Sequence, residues 1–166
     1  MHDESMKAMK DFLSTLLFFK SYKILDVGSL RVEGQQSYVD LIPEHWNYTG
    51  LDIIAGLNVD IVPDSPYDYP YAAKTFDVII SGQTIEHVEN PFRWSAELYR
   101  VLKPGGQICV IGPSTGPEHH CPDYWRILPD GMIALLCAGG FNGIVITPYN
   151  DRKWHTLRAV AKRGII

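Results

Sequence analysis

The chain has 166 residues, 46% hydrophobic and 20% charged, with a formal net charge of −4 at pH 7. That length supports one substantial core and is short for two, so a single domain over 1–166 is expected. The acidic balance argues against a partner held mainly through nucleic-acid phosphates, and the three scattered cysteines, Cys109, Cys121 and Cys137, argue for a reducing, cytoplasmic setting over a disulfide framework.

The first element falls within residues 1–22. "FLSTLLFF" (Phe12–Phe19) follows Asp3, Glu4 and Asp11 and lacks a small-residue cleavage site, so it does not read as a secretion signal. It is too short to span a membrane. Met6, Met9, Leu13, Leu16, Leu17 and Lys20 recur at three-four spacing, which predicts an amphipathic helix packed on the domain. "KILDVGS" (Lys23–Ser29) reads as a buried strand, and "QSYVDLI" (Gln36–Ile42) as a short helix stopped by Pro43. "YTGLDI" (Tyr48–Ile53), "VDIVP" (Val59–Pro63) and "FDVIISG" (Phe76–Gly82) are the next three strands. Asn90 is a natural N-cap with Pro91 at the first helical position, and Trp94, Leu98, Val101 and Leu102 share one face. "KPGG" (Lys103–Gly106) ends that helix, and "QICVIGP" (Gln107–Pro113) is a fifth strand. A helix opens at Pro129, runs through Cys137 and closes at Gly139 and Gly140. "NGIVITPYN" and "HTLRAVAKR" read as two closing strands.

Strands alternating with helices imply a mainly parallel sheet covered on both faces. Ligands of such sheets sit beyond the carboxyl ends of the strands. Those ends carry Asp26–Ser29, Asp52, Pro63–Asp64, Ser81–Gln83 and Gly112–Ser114. One acid at a strand end often only caps a helix or meets solvent. Polar groups and glycines at five ends together mark a site.

"ILDVGS", then "YTGLDI", then "FDVIISGQTIEHVENPFRWSAELYRVLKPGG" together resemble a class I S-adenosylmethionine-dependent methyltransferase, over about Lys23 to Lys162. The resemblance implies a Rossmann-like α/β fold with seven strands ordered 3-2-1-4-5-7-6, the last antiparallel. It implies that Gly28 lets backbone approach the cofactor, with Ser29 in the same turn, and that Asp26 receives the cofactor's ammonium. It assigns Asp52 to the ribose hydroxyls, Ile53 to the flank of the adenine and Asp64 to the adenine amino group, with Gln83 and Thr84 lining the site. The glycine turn departs from the family pattern, because Leu30 stands where a second glycine is usual. It reads as a variant cofactor loop on the strength of its neighbours. "PSTGPEHHCPDYWRILPDGM" (Pro113–Met132) is similar to the substrate-side loop of bacterial methyltransferases found among glycan and cell-surface polysaccharide genes, which implies a small-molecule or glycan acceptor.

Methyl transfer to oxygen or nitrogen is an in-line displacement, in which much of the catalysis is orientation. A hydroxyl acceptor also benefits from a base with a pKa near neutrality. His87, His119 and His120 are the candidates, with His119 favoured and His87 equally able to shape the cofactor pocket. Tyr124 and Trp125 offer flat faces for a sugar, and Arg126 a partner for an acceptor carboxylate or phosphate. "HHCPD" raises a metal reading, but adjacent histidines diverge on an extended loop and no CxxC or HExxH accompanies them, so no metal is expected. Two other readings stay open. A nicotinamide oxidoreductase would use Asp52 for a ribose but lacks GxGxxG, and the altered glycine turn also suits a non-catalytic cofactor-binding or interaction module.

Overall fold

The computed structural model describes residues 3–150 and 154–165. Its elements in order are α1 (Asp3–Leu13), β1 (Lys23–Val27), β2 (Asn47–Leu51), β3 (Phe76–Gly82), α2 (Pro91–Val101), β4 (Leu102–Thr115), α3 (Pro129–Gly139), β5 (Asn142–Asn150) and β6 (His155–Lys162). The strands form one sheet ordered β2-β1-β3-β4-β6-β5. β2, β1, β3 and β4 run parallel, while β6 is antiparallel to both β4 and β5. Among the described residues the sheet therefore has six strands where seven are expected. The segment expected as a third strand contributes only a parallel bridge from Ile61 to Leu51.

That shortfall has a local cause. Asn58 adopts a left-handed conformation, which breaks an extended run just before Val59. The Asp60 side chain then accepts the Gly50 N–H at 2.8 Å. A side chain occupies the main-chain donor that a continuing ladder would use.

The two sheet faces have separate cores. On one, Trp94, Leu98 and Val101 of α2 and Met132, Leu135 and Leu136 of α3 pack on Leu25, Ile79, Ile108 and Val110. The expected face of α2 is thus buried, and the Asn90 side chain caps the helix by accepting from Arg93 N–H at 3.1 Å. Gly140, in the left-handed conformation at φ 105°, closes α3 as expected. On the other face, Ala8, Met9, Phe12 and Leu13 of α1 pack on Ile24, Val78, Ile80 and Ile111.

α1 ends sooner than its apolar spacing suggests. The Ser14 and Thr15 hydroxyls bond back to the carbonyls of Asp11 and Phe12, at 2.8 and 2.7 Å, which competes with helix continuation. Leu16 is still buried, but Leu17, Phe18 and Phe19 are exposed. The expected helix at Gln36–Ile42 shrinks to a 3-10 turn at Tyr38–Leu41, boxed by Ser37 and Asp40. The "KPGG" stretch lies within β4, where the pairing jumps from Phe76–Leu102 to Val78–Gln107.

Candidate active site

The parallel strands β1, β2, β3 and β4 deliver their carboxyl ends to one edge, and nearly every expected site residue lies there. Gly28 follows β1 with φ 81°, and a Cβ at that position would stand 1.9 Å from Thr84 Oγ1. Only glycine fits, so the Thr84 side chain of the turn after β3 packs directly on the Gly28 backbone. Thr84 in turn donates to Val27 O at 3.2 Å. Asp52 follows β2 and accepts the Leu30 N–H at 3.1 Å and the Ile54 N–H at 3.0 Å, one on each oxygen. Leu30 in place of a second glycine still supplies a backbone donor, and its side chain rests over Gly56.

A cavity of about 130 Å³ opens between Gly28, Leu30, Arg31, Val32, Gln35, Gln36, Ser37, Gly82 and Gln83. This is below the roughly 300–1,000 Å³ of ordinary ligand pockets, and Asp52 lies outside its lining. Ile53 and Asp64 are exposed and lie outside the cavity lining. Gln83 lines the cavity, but its amide donates to Ser5 Oγ of α1 at 2.7 Å. Ser29 is buried and bonds Asn58 O at 2.9 Å, so its hydroxyl braces the turn.

Asp26 is fully buried beneath that turn. Tyr48 donates to its Oδ2 at 2.6 Å, and Oδ1 has no partner. Burial pushes its carboxyl up to about 7, with the Tyr48 hydrogen bond opposing. The sign of the consequence is fixed. The folded carboxyl holds its proton more tightly than the unfolded one, whose value is 3.8, so this group's contribution to stability is full below pH 3.8 and is lost as pH rises toward 7. Asp26→Asn is therefore expected to flatten the pH dependence of unfolding between about pH 4 and 7, and to gain stability over the parent above pH 7, by up to about 4 kcal/mol. Urea unfolding across that range checks it. Parallel profiles for the two proteins would refute it.

The second part of the edge is the segment from Gly116 to Leu128 after β4. Three bonds latch it onto the 3-10 turn at Ile85–His87 and the residue after it. Tyr124 N–H donates to Glu86 O at 2.7 Å, Trp125 Nε1 to Val88 O at 2.8 Å, and His87 Nδ1 to Pro122 O at 2.6 Å. These bonds bring the His87 and His119 rings to 5.3 Å, and His120 and Trp154 also stack edgewise on His119. His119 Nδ1 lies 3.2 Å from Asp123 Oδ2. Asp123 bonds Arg126 through both oxygens at 2.6 and 2.7 Å, which holds its carboxyl far below the usual range. An ionised carboxylate only accepts, so His119 Nδ1 carries the proton and its Nε2 lone pair is free. Burial also lowers the His119 pKa, against the pull of Asp123, so the ring is neutral at pH 7.

The expected site residues of this segment have different surroundings. His119 is central. His120 is exposed, with φ 43°. Tyr124 and Trp125 are partly exposed and line a 260 Å³ cavity with Gly116, Glu118, Asp123 and Arg126. The Arg126 guanidinium is committed to Asp123 and to the carbonyls of Gly116, Pro117 and Trp125, so it shapes the loop from within.

Two acids have places that sequence reasoning did not assign, Asp123 having entered it only as one possible ligand in "HHCPD". Asp123 organises the loop, and Glu86 is fully buried next to His87 with neither carboxylate oxygen hydrogen-bonded. Burial pushes Glu86 up to about 8. The only trace in sequence is an acid inside the apolar run "TIEHV".

Comparison with known proteins gives the family and the fold. The family model described as a methyltransferase domain matches residues 25–110, just over half of the chain. The chain is 34% identical over 113 residues to 2-methyl-6-phytyl-1,4-hydroquinone methyltransferase 1, chloroplastic, of Oryza sativa subsp. japonica, covering 65% of this chain and 33% of that protein. It is 24% identical over 123 residues to demethylmenaquinone methyltransferase of Listeria welshimeri, covering 66% and 52%. It thus spans about a third to a half of the curated relatives it matches. Among solved structures, Burkholderia thailandensis 1,6-didemethyltoxoflavin-N1-methyltransferase, with 1,6-didemethyltoxoflavin and S-adenosylhomocysteine bound, superposes with a TM-score of 0.77 at 17% identity, over 98% of this chain and 80% of that one. These relatives are named for quinones and a small heterocycle, not for glycans. The plant relatives are chloroplastic by name, which lends no support to a cytoplasmic setting. Among the described residues no helix is long and apolar enough to cross a membrane. With its family model, six-stranded sheet and glycine turn in agreement, the chain belongs to the methyltransferase-domain family.

Proposed function

We propose that the protein transfers a methyl group from S-adenosylmethionine to a small-molecule acceptor, at a hydroxyl oxygen. One observation carries this reading. The glycine turn sealed by Thr84, the Asp52 carboxylate and the His87–His119 pair share one sheet edge. The first two suit a nucleoside with an amino-acid tail, and the third suits an acidic hydroxyl. When bound, the cofactor supplies a methyl group on a sulfonium. The chain's own residues hold and orient it: Gly28 by close approach, Asp52 through the ribose hydroxyls, and Asp26, with its unpartnered Oδ1, through the ammonium. Ser29 and Thr84 keep the turn in shape, Gln83 borders the cavity, and Ile53 and Asp64 meet the adenine once the outer loops close on it. On the acceptor side, neutral His119 takes the hydroxyl proton at Nε2, with His87 and His120 beside it and Tyr124 and Trp125 flanking the acceptor. Hydroquinones are the acceptor class best matched by the relatives' names, and hydroxylated sugars are the alternative from the loop's aromatic content.

Calorimetry with S-adenosylmethionine, S-adenosylhomocysteine and NAD tests the cofactor. Binding of the first two and not the third is expected, and the reverse would favour an oxidoreductase. Asp52→Ala is expected to weaken S-adenosylmethionine by about 1–3 kcal/mol, because its polar partners are left unpaired. Unchanged affinity would remove Asp52 from the site. A methyl-transfer screen over hydroquinones, small phenols and hydroxylated sugars then separates an enzyme from a binding module.

A further inference from the structure

Glu86, His87 and His119 each offer a ligand atom, and the three atoms lie within 4.8 Å of one another. They reach that proximity from two loops: Glu86 and His87 from the turn after β3, and His119 from the loop after β4. We propose that these three side chains form a site for a divalent metal ion of the zinc type.

Two features of the cluster argue for an ion. The first is the state of the imidazoles. His87 Nδ1 faces the Pro122 carbonyl at 2.6 Å, and a carbonyl only accepts, so Nδ1 is protonated and Nε2 keeps its lone pair. His119 Nδ1 is held likewise by the Asp123 carboxylate. Both rings are fixed in the tautomer that ligates through Nε2, each backed by an acceptor on the other nitrogen. That is the usual support of metal-bound histidine. The second feature is Glu86. Its side chain is fully buried, neither oxygen has a hydrogen-bond partner, and Arg126, the cation of the neighbouring loop, is bonded to Asp123 instead. A buried carboxyl whose two oxygens lack hydrogen-bond partners is costly even when protonated, and a cation bound to its ionised form would satisfy both oxygens.

The donor set selects the ion. Two imidazoles and one carboxylate suit zinc and its first-row neighbours, whereas magnesium and calcium favour all-oxygen sets. Ligands about 2.1 Å from a tetrahedral ion stand roughly 3.4 Å apart, so the cluster closes by little more than an ångström on binding. Three protein ligands leave a position open. An acceptor oxygen there would be oriented and made more acidic. His119 would then act through the ion and not as the base itself. That last role rests on the methyltransferase reading, whereas binding of the ion does not. The sequence-based expectation of no metal weighed "HHCPD" alone and did not consider Glu86 or His87 as ligands.

The test is calorimetric titration of the whole protein with Zn²⁺ alone in a non-chelating buffer, alongside visible spectra with Co²⁺. One ion per chain is expected, with Kd of about 10 µM or below. Glu86→Gln and His119→Ala should each weaken binding at least tenfold, with unchanged circular dichroism. His119→Ala lies on a partly exposed loop, so it stays informative if the buried Glu86→Gln variant fails to fold. Cys121→Ser should bind as the parent does. Absence of binding, or binding that survives both ligand variants, overturns the site. Loss of binding in Cys121→Ser, or a thiolate charge-transfer band with Co²⁺, overturns it in favour of the exposed His120–Cys121 pair. S-adenosylmethionine affinity measured in parallel keeps the two proposals separate, since zinc binding without cofactor binding would reject only the methyltransferase reading.

Discussion

His119→Ala is expected to lower turnover about 10²–10⁴-fold and to leave S-adenosylmethionine affinity intact. In the metal-free protein the size of the loss follows from what one well-placed proton acceptor contributes; with the proposed ion bound, the loss is that of the ion's hold on the acceptor oxygen. Its selectivity follows from geometry, because His119 lies in the loop after β4 and does not line the cavity beside Gly28. The pH profile is a second readout. Burial holds the His119 pKa below the ordinary imidazole value, so its Nε2 stays unprotonated to a lower pH than a free histidine would allow. In the metal-free protein, kept so with a chelator, the acid limb of kcat/KM should therefore fall below that ordinary value in the parent and vanish in the variant. A single-turnover assay with any acceptor from the screen measures both. Full activity in His119→Ala would move the acceptor away from this loop.

Trp94→Ala is expected to destabilise the fold by about 3–5 kcal/mol, the range for removing a fully buried large aromatic. Trp94 is 1% exposed and belongs to the larger of the two cores, with Leu98 and Val101 one and two turns further along α2. The cavity it leaves would be walled by α2, α3 and the sheet, all of which are also tied to one another, so collapse into it is limited. Denaturant unfolding followed by circular dichroism gives the value. A loss under about 1 kcal/mol would mean that α2 does not pack through this face.

The parts of the fold legible in sequence are those fixed by local pattern. β3 and β5 have the bounds their apolar runs suggest, whereas the strand order was implied only by the family resemblance, and the described sheet has six strands where that order has seven. The difference was illegible because "VDIVP" has the composition of a strand. Its failure to pair depends on Asn58 and on where the Asp60 carboxylate reaches. The end of α1 was misjudged for a similar reason. Apolar spacing continues past Leu13, but two hydroxyls bond backwards. In the site, strand-end acids such as Asp52 could be found by position. Glu86 could not, because its burial depends on a loop that begins 30 residues later. Arg126 looked like a ligand group because its partner, Asp123, is visible only in the folded loop.

The latch between the loop after β4 and the turn after β3 has a consequence for entropy. Closing a flexible loop over a substrate normally costs conformational freedom at every turnover. Here three hydrogen bonds, two of them to main-chain groups that the fold already exposes at Glu86 and Val88, hold the loop against the turn that carries His87. That turn begins beside Thr84, which touches Gly28. The loop after β4 and the glycine turn are thus joined through the turn after β3, and the cost of ordering that loop falls on folding. Under the proposed reading, acceptors would meet a preformed surface, with binding strength spent on contact instead of on ordering.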